Sequence, residues 1–408
     1  MFRDSCLVCD SKNIKDIIDL GSHPFADTFI PSLKTSLADV IYPLVCTLCR
    51  ECGHVQTKCI TEPEARYAHT EYSYTSSNSS FARSHWDEYA KEIASAINLP
   101  TGSLIIEAGS NDGYLSEQFI AKGHRAIGVD PSPYMAQLAE KRNVSTIVGL
   151  FGKKTTDEIY KKYGKANLVI ANNVFNHSDN PIEFVTAVAN ILVPEGYFVF
   201  EQPYWLTSLK TEKFDQIYHE HVSYFTVASA KVLLARAGLS IRNVQIVNYH
   251  GGSLRIIAQK SSDMQKESLE ALKMITEERE YGTFDPDTYE IFMKKILHQR
   301  NIFLERIYKL KQQGKVIIAV GAAAKGNTFL NFYRLDKTII DYVTDSSPHK
   351  IGKYTPATRI PIIGDNIFRN YSEVYALLLS WNLKEQLLPI LSKINPLITF
   401  ISPEEPRN

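Results

Sequence analysis

The sequence predicts an α/β protein in three parts: a small N-terminal zinc-binding lobe, a central Rossmann-like sheet domain, and a second, C-terminal Rossmann-like α/β domain. Three observations predict it. All six cysteines (Cys6, Cys9, Cys46, Cys49, Cys52 and Cys59) fall in the first 59 of 408 residues. A strand, a glycine turn and an amphipathic helix begin near residue 103, and strand and helix patterns then alternate to about residue 203. A second strand, small-residue turn and helix follow Gly314. The boundaries read as 1–70, 71–262 and 263–408.

Composition sets the outer limits. The chain is 44% hydrophobic and 22% charged, an ordinary globular balance. Lys plus Arg number 45 and Asp plus Glu number 45, so there is no bulk positive field to draw nucleic acid or anionic membranes. No apolar run approaches the roughly 18 residues of a membrane span, and the start lacks a basic segment followed by an apolar one. A cytoplasmic protein with neither nucleic-acid nor membrane partners is expected.

Within the cysteine lobe, Cys6/Cys9 in C-L-V-C-D and Cys49/Cys52 in C-R-E-C-G have the two-residue gap that lets one tight turn present two thiolates to a tetrahedral ion. Gly53 suits the positive φ such a knuckle needs. Cys46/Cys49 is a competing pair at the same gap. Four thiolates leave no open coordination position, so the metal would staple the lobe and do no chemistry.

Residues 67–99 begin rich in Tyr, Ser and Thr (E-Y-S-Y-T-S-S-N-S-S) and continue as an amphipathic stretch. The run reads as a solvated loop capping a helix, with a polar pocket wall as the alternative.

The central block opens S-L-I-I-E-A-G-S-N-D-G-Y-L-S-E-Q-F, and a second strand, R-A-I-G-V-D-P-S, ends on Asp130. An acid in that position binds the two hydroxyls of a ribose. A diphosphate site wants G-x-G-x-x-G. Here the loop is Glu107-Ala-Gly109-Ser-Asn111-Asp112-Gly113, and an acid at the strand end with one glycine turn suits a cationic ligand. S-adenosylmethionine, with an ammonium, a sulfonium and a ribose diol, is such a ligand. The reading is a class I methyltransferase domain. Its next elements are a strand over 167–175, a helix over 181–192 and a strand over 196–203.

Past that core, Tyr218, His219, Glu220 and His221 stand together before a helix. H-E-H is not H-E-x-x-H, so no catalytic metal is read from it. In N-Y-H-G-G-S-L-R two glycines precede a strand bearing Ser253 and Arg255, an expected anion-contacting edge. Two long helical patterns (264–313) lead to the C-terminal sheet, where T-I-I-D-Y-V-T-D reads as a strand. G-A-A-A-K-G-N lacks the dinucleotide fingerprint, but helix-start amides with Lys325 suit a phosphate.

Together these motifs resemble one family, the sugar C-methyltransferases that act on nucleotide-linked 4-keto deoxysugars. The resemblance covers nearly the whole chain. It is carried by C-L-V-C, C-R-E-C-G-H-V-Q, E-Y-S-Y-T-S-S, E-A-G-S-N-D-G-Y, G-V-D-P-S, N-N-V-F-N-H, Y-H-E-H-V-S-Y-F, H-G-G-S-L-R, G-A-A-A-K-G-N-T-F-L-N and D-S-S-P-H-K-I-G-K-Y-T-P. Two departures stand out: Asp130 replaces a frequent Glu, and T-P-A-T replaces a common P-G.

The resemblance implies Cys6, Cys9, Cys49 and Cys52 as ligands of a structural zinc, with Cys46 and Cys59 spare. It implies S-adenosylmethionine at Glu107, Gly109, Asn111, Asp112, Gly113, Asp130 and Asn172. His221 matches the family's base for removing the hydrogen beside a ketone, and Tyr218, Glu220, Tyr72 and Tyr74 are its expected catalytic companions. The nucleotide-sugar is expected at Asn173, His177, His219, Ser253, Arg255, Lys325 and Asn327, between the central and C-terminal sheets. A dTDP-linked sugar methylated at C3 is preferred; C5 and GDP stay open, as do monomer and dimer. The rival readings are a zinc-ribbon RNA methyltransferase, an NAD-dependent dehydrogenase and a noncatalytic sugar-nucleotide binder. The first lacks a basic stripe and the second the glycine fingerprint.

Overall fold

The computed structural model describes residues 1–34, 36–62, 66, 75–77, 79–249, 251–260 and 268–403. The expected catalytic residues Tyr72 and Tyr74 lie outside these described residues.

The N-terminal sheet contains β1 (Ile14–His23), β3 (Tyr42–Cys49) and β4 (Val55–Thr57), while β2 (Ile30–Pro31) leaves it for a pairing described below. Alternation puts Ile18, Leu20, Leu44, Cys46 and Leu48 on one buried face. Helix α1 (Ser80–Ala96) starts on Ser79, whose side chain accepts from the Ala82 N–H, and buries Trp86, Tyr89 and Ile93.

Next come β5 (Leu104–Ala108), α2 (Tyr114–Ile120), β6 (Arg125–Asp130), α3 (Pro133–Glu140), β7 (Ser145–Val148), α4 (Lys153–Tyr163), β8 (Ala166–Ile170), α5 (Pro181–Ile191) and β9 (Leu192–Pro203). After α6 (Trp205–Lys210), the short β10 (Ser223–Tyr224) pairs with β4, so the N-terminal sheet runs β1-β3-β4-β10 and borrows its last strand from beyond the central block. Then follow α7 (Val227–Arg236), β11 (Leu239–Val247) and β12 (Ser253–Lys260).

The central sheet has the order β11-β12-β9-β8-β5-β6-β7, parallel from β9 to β7 and antiparallel through β12 and β11. The chain winds outward in opposite directions from β5 and β8, which opens a crevice at their carboxyl ends, the usual ligand position in such sheets.

Helices α8 (Leu269–Tyr281) and α9 (Pro286–Gln312) lead to the third sheet. Its elements are β13 (Ile317–Val320), α10 (Ala324–Tyr333), β14 (Tyr342–Thr344), β15 (Lys353–Tyr354), β16 (Ile362–Ile363), β17 (Val374–Leu378), α11 (Lys384–Ile394) and β18 (Ile398–Ile401). The order β16-β14-β13-β17-β18 is all parallel, a second Rossmann-like sheet. β15 pairs with β2, tying the first and last parts of the chain together.

The N-terminal sheet shares its apolar core with the C-terminal part: Ile18, Leu44 and Leu48 pack in one cluster with Phe292, Phe303, Leu330 and Val343. Among the described residues no helix is long and apolar enough to cross a membrane.

Two expected strands are shorter than the sequence suggested. The 167–175 run ends as a strand at Ile170: Asn173 takes φ +54, outside the extended region, although the Ala171 and Asn173 N–H groups still reach the Val199 and Glu201 carbonyls of β9. The strand expected in T-I-I-D-Y-V-T-D keeps only Tyr342–Thr344, since the Asp336 carboxylate accepts from the Thr338 N–H and hydroxyl and folds its first residues into a turn.

Candidate active site

The metal centre is built from two matching knuckles. The Asp10 N–H donates to the Cys6 carbonyl at 3.0 Å and the Gly53 N–H to the Cys49 carbonyl at 2.9 Å. Asp10 and Gly53, each just after its second cysteine, take φ +60 and +72. The sulfurs of Cys6 and Cys52 are 3.6 Å apart and those of Cys9 and Cys49 3.5 Å, with all four within 4.8 Å of one another. A zinc–sulfur tetrahedron at ~2.3 Å has sulfur–sulfur edges of about 3.8 Å, so the set fits the ion. Crowded without a cation the thiols cannot all ionise: Cys6 is pushed up to about 12, chiefly by its contact with Cys49, while Cys49 is pulled far down by Cys52 and Cys6. The competing Cys46/Cys49 pair fails because residues three apart on β3 point to opposite faces, and Cys46 is buried in the apolar core.

The crevice at the end of β5 gathers acids. Glu107 is pushed up to about 8 by burial, with Asp112 and Asp130 adding to the effect, and accepts from Ser116 Oγ at 2.5 Å. Asp130 is likewise raised by burial; it accepts the Asn111 and Ser132 N–H groups, each at 2.9 Å. Each carboxylate has lone pairs to spare for ligand donors. Asn111 and Gly113 take φ +50 and +76, and Gly109, at φ +66, lies so close to Val174 that a Cβ there would meet Val174 Cγ2 at 2.1 Å. Asn172 Oδ1 accepts the Glu201 N–H at 2.8 Å and its Nδ2 is buried with no hydrogen-bond partner. Buried, uncompensated acids and an orphaned amide beside one loop fit a ligand with an ammonium, a sulfonium and a ribose diol. Asp112 stands in the same loop: its oxygens accept from Ser76 and Ser77, with Arg142 at 3.6 Å, so protein donors share the carboxylate expected to meet cofactor.

The Y-H-E-H cluster sorts itself residue by residue. The Nδ1 of His221 donates to the Gln216 carbonyl at 2.9 Å, which leaves its lone pair on Nε2, where the Tyr218 hydroxyl donates at 2.6 Å. Burial pushes His221 down to about 3. The His177 ring stands edge-on to it, centroids 4.9 Å apart, and burial holds His177 well below its ordinary value. Glu220 is pushed up to about 7 by burial and by Asp27; its Oε1 accepts the Asp27 N–H at 3.2 Å and its Oε2 is buried without a partner.

Four expected substrate contacts are placed elsewhere. His219 is buried edge-on against the stacked rings of Phe25 and Tyr42 and donates to the Pro43 carbonyl, part of the N-terminal packing. Arg255 lies on an interior strand, not an edge, and Glu201 and Glu92 neutralise its guanidinium while Tyr89 covers it. Ser253 Oγ donates to the Tyr249 carbonyl. Asn327 Nδ2 donates to the Ala26 carbonyl at 2.6 Å and so fastens α10 to the N-terminal loop.

Lys325, in the first turn of α10, donates to Asn382 Oδ1 at 2.6 Å, 4.8 Å above the Trp381 ring; burial pushes it down to about 8 against the pull of Asp215. Asp27, Asp215, Gln216 and Trp381 carry no local motif, and the sequence reading did not find them. Ser76 and Ser77 had a signal, the hydroxyl-rich run before α1.

Fold, crevice and cysteine centre together define a zinc-binding, class I S-adenosylmethionine-dependent methyltransferase. Family models agree over three consecutive stretches: a zinc binding domain at residues 6–67, a methyltransferase domain at 81–244 and a C-methyltransferase C-terminal domain at 248–397. C-methyltransferase NovU of Streptomyces niveus is 30% identical over 385 residues, 94% of this chain and 91% of that protein. The chain belongs to this C-methyltransferase family. Among solved structures, an S-adenosylmethionine-dependent methyltransferase from Clostridium acetobutylicum matches at 14% identity and TM-score 0.36, over 45% of this chain and 94% of its own. Magnesium protoporphyrin IX methyltransferase of Synechocystis matches at 15% and 0.34, over 44% of this chain and 79% of its own.

Proposed function

We propose that the protein methylates the carbon next to the ketone of a nucleotide-linked 4-keto deoxysugar, dTDP-linked and at C3, in the cytoplasm. The observation that carries this reading is the His221 imidazole held between the Gln216 carbonyl and the Tyr218 hydroxyl.

Removing a hydrogen beside a ketone needs an unprotonated base over the carbon and a donor near the oxygen. Burial disfavours the protonated form of His221, and the Nδ1–H bond to the Gln216 carbonyl leaves its lone pair on Nε2. The Tyr218 hydroxyl covers that lone pair until the substrate hydrogen replaces it, and then turns to donate to the ketone oxygen. The proton taken by Nε2 makes an imidazolium, which burial disfavours and the adjacent enolate offsets. Neutral His177 adds no competing charge. The unpartnered Glu220 Oε2 is an acceptor for the hydrogen of a hydroxyl or amine at C3. Lys325 supports a phosphate at the start of α10. Asp130 takes the ribose hydroxyls and Glu107 the ammonium; S-adenosylmethionine, when bound, supplies an electrophilic methyl group. The protein's main contribution is then alignment of the two reactants.

Mass spectrometry of a panel of dTDP- and GDP-linked 4-keto deoxysugars, incubated with protein and S-adenosylmethionine and separately in deuterated water without it, tests the reading. A gain of one methyl, with deuterium entering only next to the ketone, is expected. No methyl and no exchange across the panel would remove the sugar and leave the methyltransferase. His221→Asn is expected to fold and bind S-adenosylmethionine as before while losing turnover by about 10²–10⁴-fold; full activity would hand the base role to Tyr218.

A further inference from the structure

Helix α1 touches the cofactor crevice on both sides. Before its first turn, Ser76 Oγ donates to Asp112 Oδ1 at 2.5 Å and Ser77 Oγ to Asp112 Oδ2. Arg142 Nη2 donates to Ser77 Oγ at 3.0 Å, and Arg83 Nη1 to the Ser77 carbonyl at 2.8 Å. The Ser76 N–H donates to Asn111 Oδ1 at 2.8 Å, and the Asn111 N–H donates in turn to Asp130 Oδ2 at 2.9 Å. Trp86 Nε1 donates to the Ser76 carbonyl, and Asp87 accepts the Tyr114 hydroxyl at 3.0 Å from the start of α2. On the opposite bank His85 Nε2 donates to Glu201 Oε2 at 2.8 Å, and the Tyr89 hydroxyl to Asn172 Oδ1 at 3.3 Å.

One helix is therefore fastened to the loop after β5 and to the ends of β8 and β9, the two banks between which the cofactor crevice opens. Asp112 is 2% exposed. A carboxylate in the cofactor loop that accepts a serine hydroxyl on each oxygen ties that loop to the chain just ahead of α1. A short hydrogen-bonded path runs from the ribose-binding acid to the start of α1 through Asp130, Asn111 and Ser76.

We propose that Asp112, Ser76 and Ser77 are positioning residues that couple cofactor binding at Asp130 to the ordering of α1 beside the crevice. A ligand on Asp130 holds Asn111 in its left-handed conformation, Asn111 holds Ser76, and the serine pair on Asp112 converts that into a fixed start for α1. Coupling of this kind is reciprocal: whatever factor the cofactor lends to α1 order, α1 order lends to cofactor affinity. The inference rests on the S-adenosylmethionine crevice and not on the identity of the sugar.

Hydrogen exchange read by mass spectrometry on the full chain, with and without S-adenosylmethionine, tests it, with binding followed by calorimetry in the same samples. In the wild type the ligand is expected to slow exchange about tenfold over residues 80–96 as well as at 109–113, within the usual 5–150-fold span of a coupling. In the Ser76→Ala/Ser77→Ala variant, ligand-free exchange should match wild type, slowing should persist at 109–113 and vanish over 80–96, and affinity should fall by the factor lost. Ser76→Thr/Ser77→Thr, which keeps both hydroxyls, should restore the coupling. Three results would overturn the proposal: wild-type binding that leaves 80–96 unchanged, full slowing in the alanine variant, or fast exchange of α1 in that variant with or without ligand, which marks simple structural support.

Discussion

Gly109→Ala is the most exposed test of the crevice geometry. Gly109 sits at φ +66, and a Cβ built on it would meet Val174 Cγ2 at 2.1 Å and Val174 Cβ and Cγ1 at 3.1 Å. The left-handed backbone costs an alanine about 1–2 kcal/mol, and forcing a β-branched neighbour off its rotamer costs about 1–3 kcal/mol more. The sum, about 2–5 kcal/mol, is a large fraction of a domain's stability. Relief of the clash moves the loop that carries the Asn111 N–H to Asp130, so S-adenosylmethionine affinity should also fall, by about tenfold for each 1.4 kcal/mol of displaced contact. Urea unfolding of wild type, Gly109→Ala, Val174→Ala and the double variant reads the stability as a cycle, with a constant m-value as control. Val174→Ala alone should cost about 1–2 kcal/mol, yet recover about 1–3 kcal/mol in the Gly109→Ala background. A Gly109→Ala variant with the wild-type midpoint, or a strictly additive double variant, would refute the reasoning.

The remaining predictions concern charge and metal. Purified protein should carry one zinc per chain by metal analysis; Cys49→Ser should lose it and unfold at lower denaturant, whereas Cys46→Ser should keep it, and zinc retained in Cys49→Ser would remove that thiolate from the centre. Glu107, raised to about 8, is largely protonated at pH 7. An ammonium seated beside it lowers that value, so binding of S-adenosylmethionine near pH 7 should release a proton. Calorimetric heats should then vary with the buffer's ionisation enthalpy in wild type and not in Glu107→Gln; equal heats in all buffers would sink the assignment. The same group sets a stability trend. A raised carboxyl pKa favours the protonated fold, so its contribution is fullest below the unfolded value of about 4.5 and is lost as pH rises through about 8. Glu107→Gln should therefore flatten the decline between pH 5 and 8. Arg255→Met should destabilise by about 3–5 kcal/mol because it strips Glu201, fully buried, of its guanidinium. Arg255→Met/Glu201→Leu should recover much of that loss, and a silent Arg255→Met would show the pair to be dispensable.

Much of the site was legible because its chemistry is local. A two-residue gap brings two thiolates onto one knuckle, and Gly53 supplies the positive φ that closes it. A strand, an acid, a glycine turn and a second strand ending on Asp130 define the crevice within some twenty-five residues, and backbone geometry places those groups without help from the rest of the chain. Partners distant along the chain leave no such local signal. Arg255 looks like an anion contact until Glu201 and Glu92 are found on it from two other elements. His219 and His221 are chemically identical in the sequence, yet one fills an aromatic slot in the N-terminal packing and the other holds its lone pair toward Tyr218.

What the sequence by itself determined is therefore the class of the protein: the cysteine knuckles, the α/β alternation and the cofactor loop, each set by short spacing and by the fixed periodicities of helix and strand. Tertiary structure alone decided which charges remain available. It joined Asp27 to Glu220 across 193 positions, buried Lys325 beside Trp381, brought Ser76 and Ser77 onto Asp112, and turned Cys46 into the core. The physical reason is that the state of a titratable group depends on its desolvation and on the charges packed against it, and both are properties of three-dimensional neighbours that adjacency along the chain does not encode.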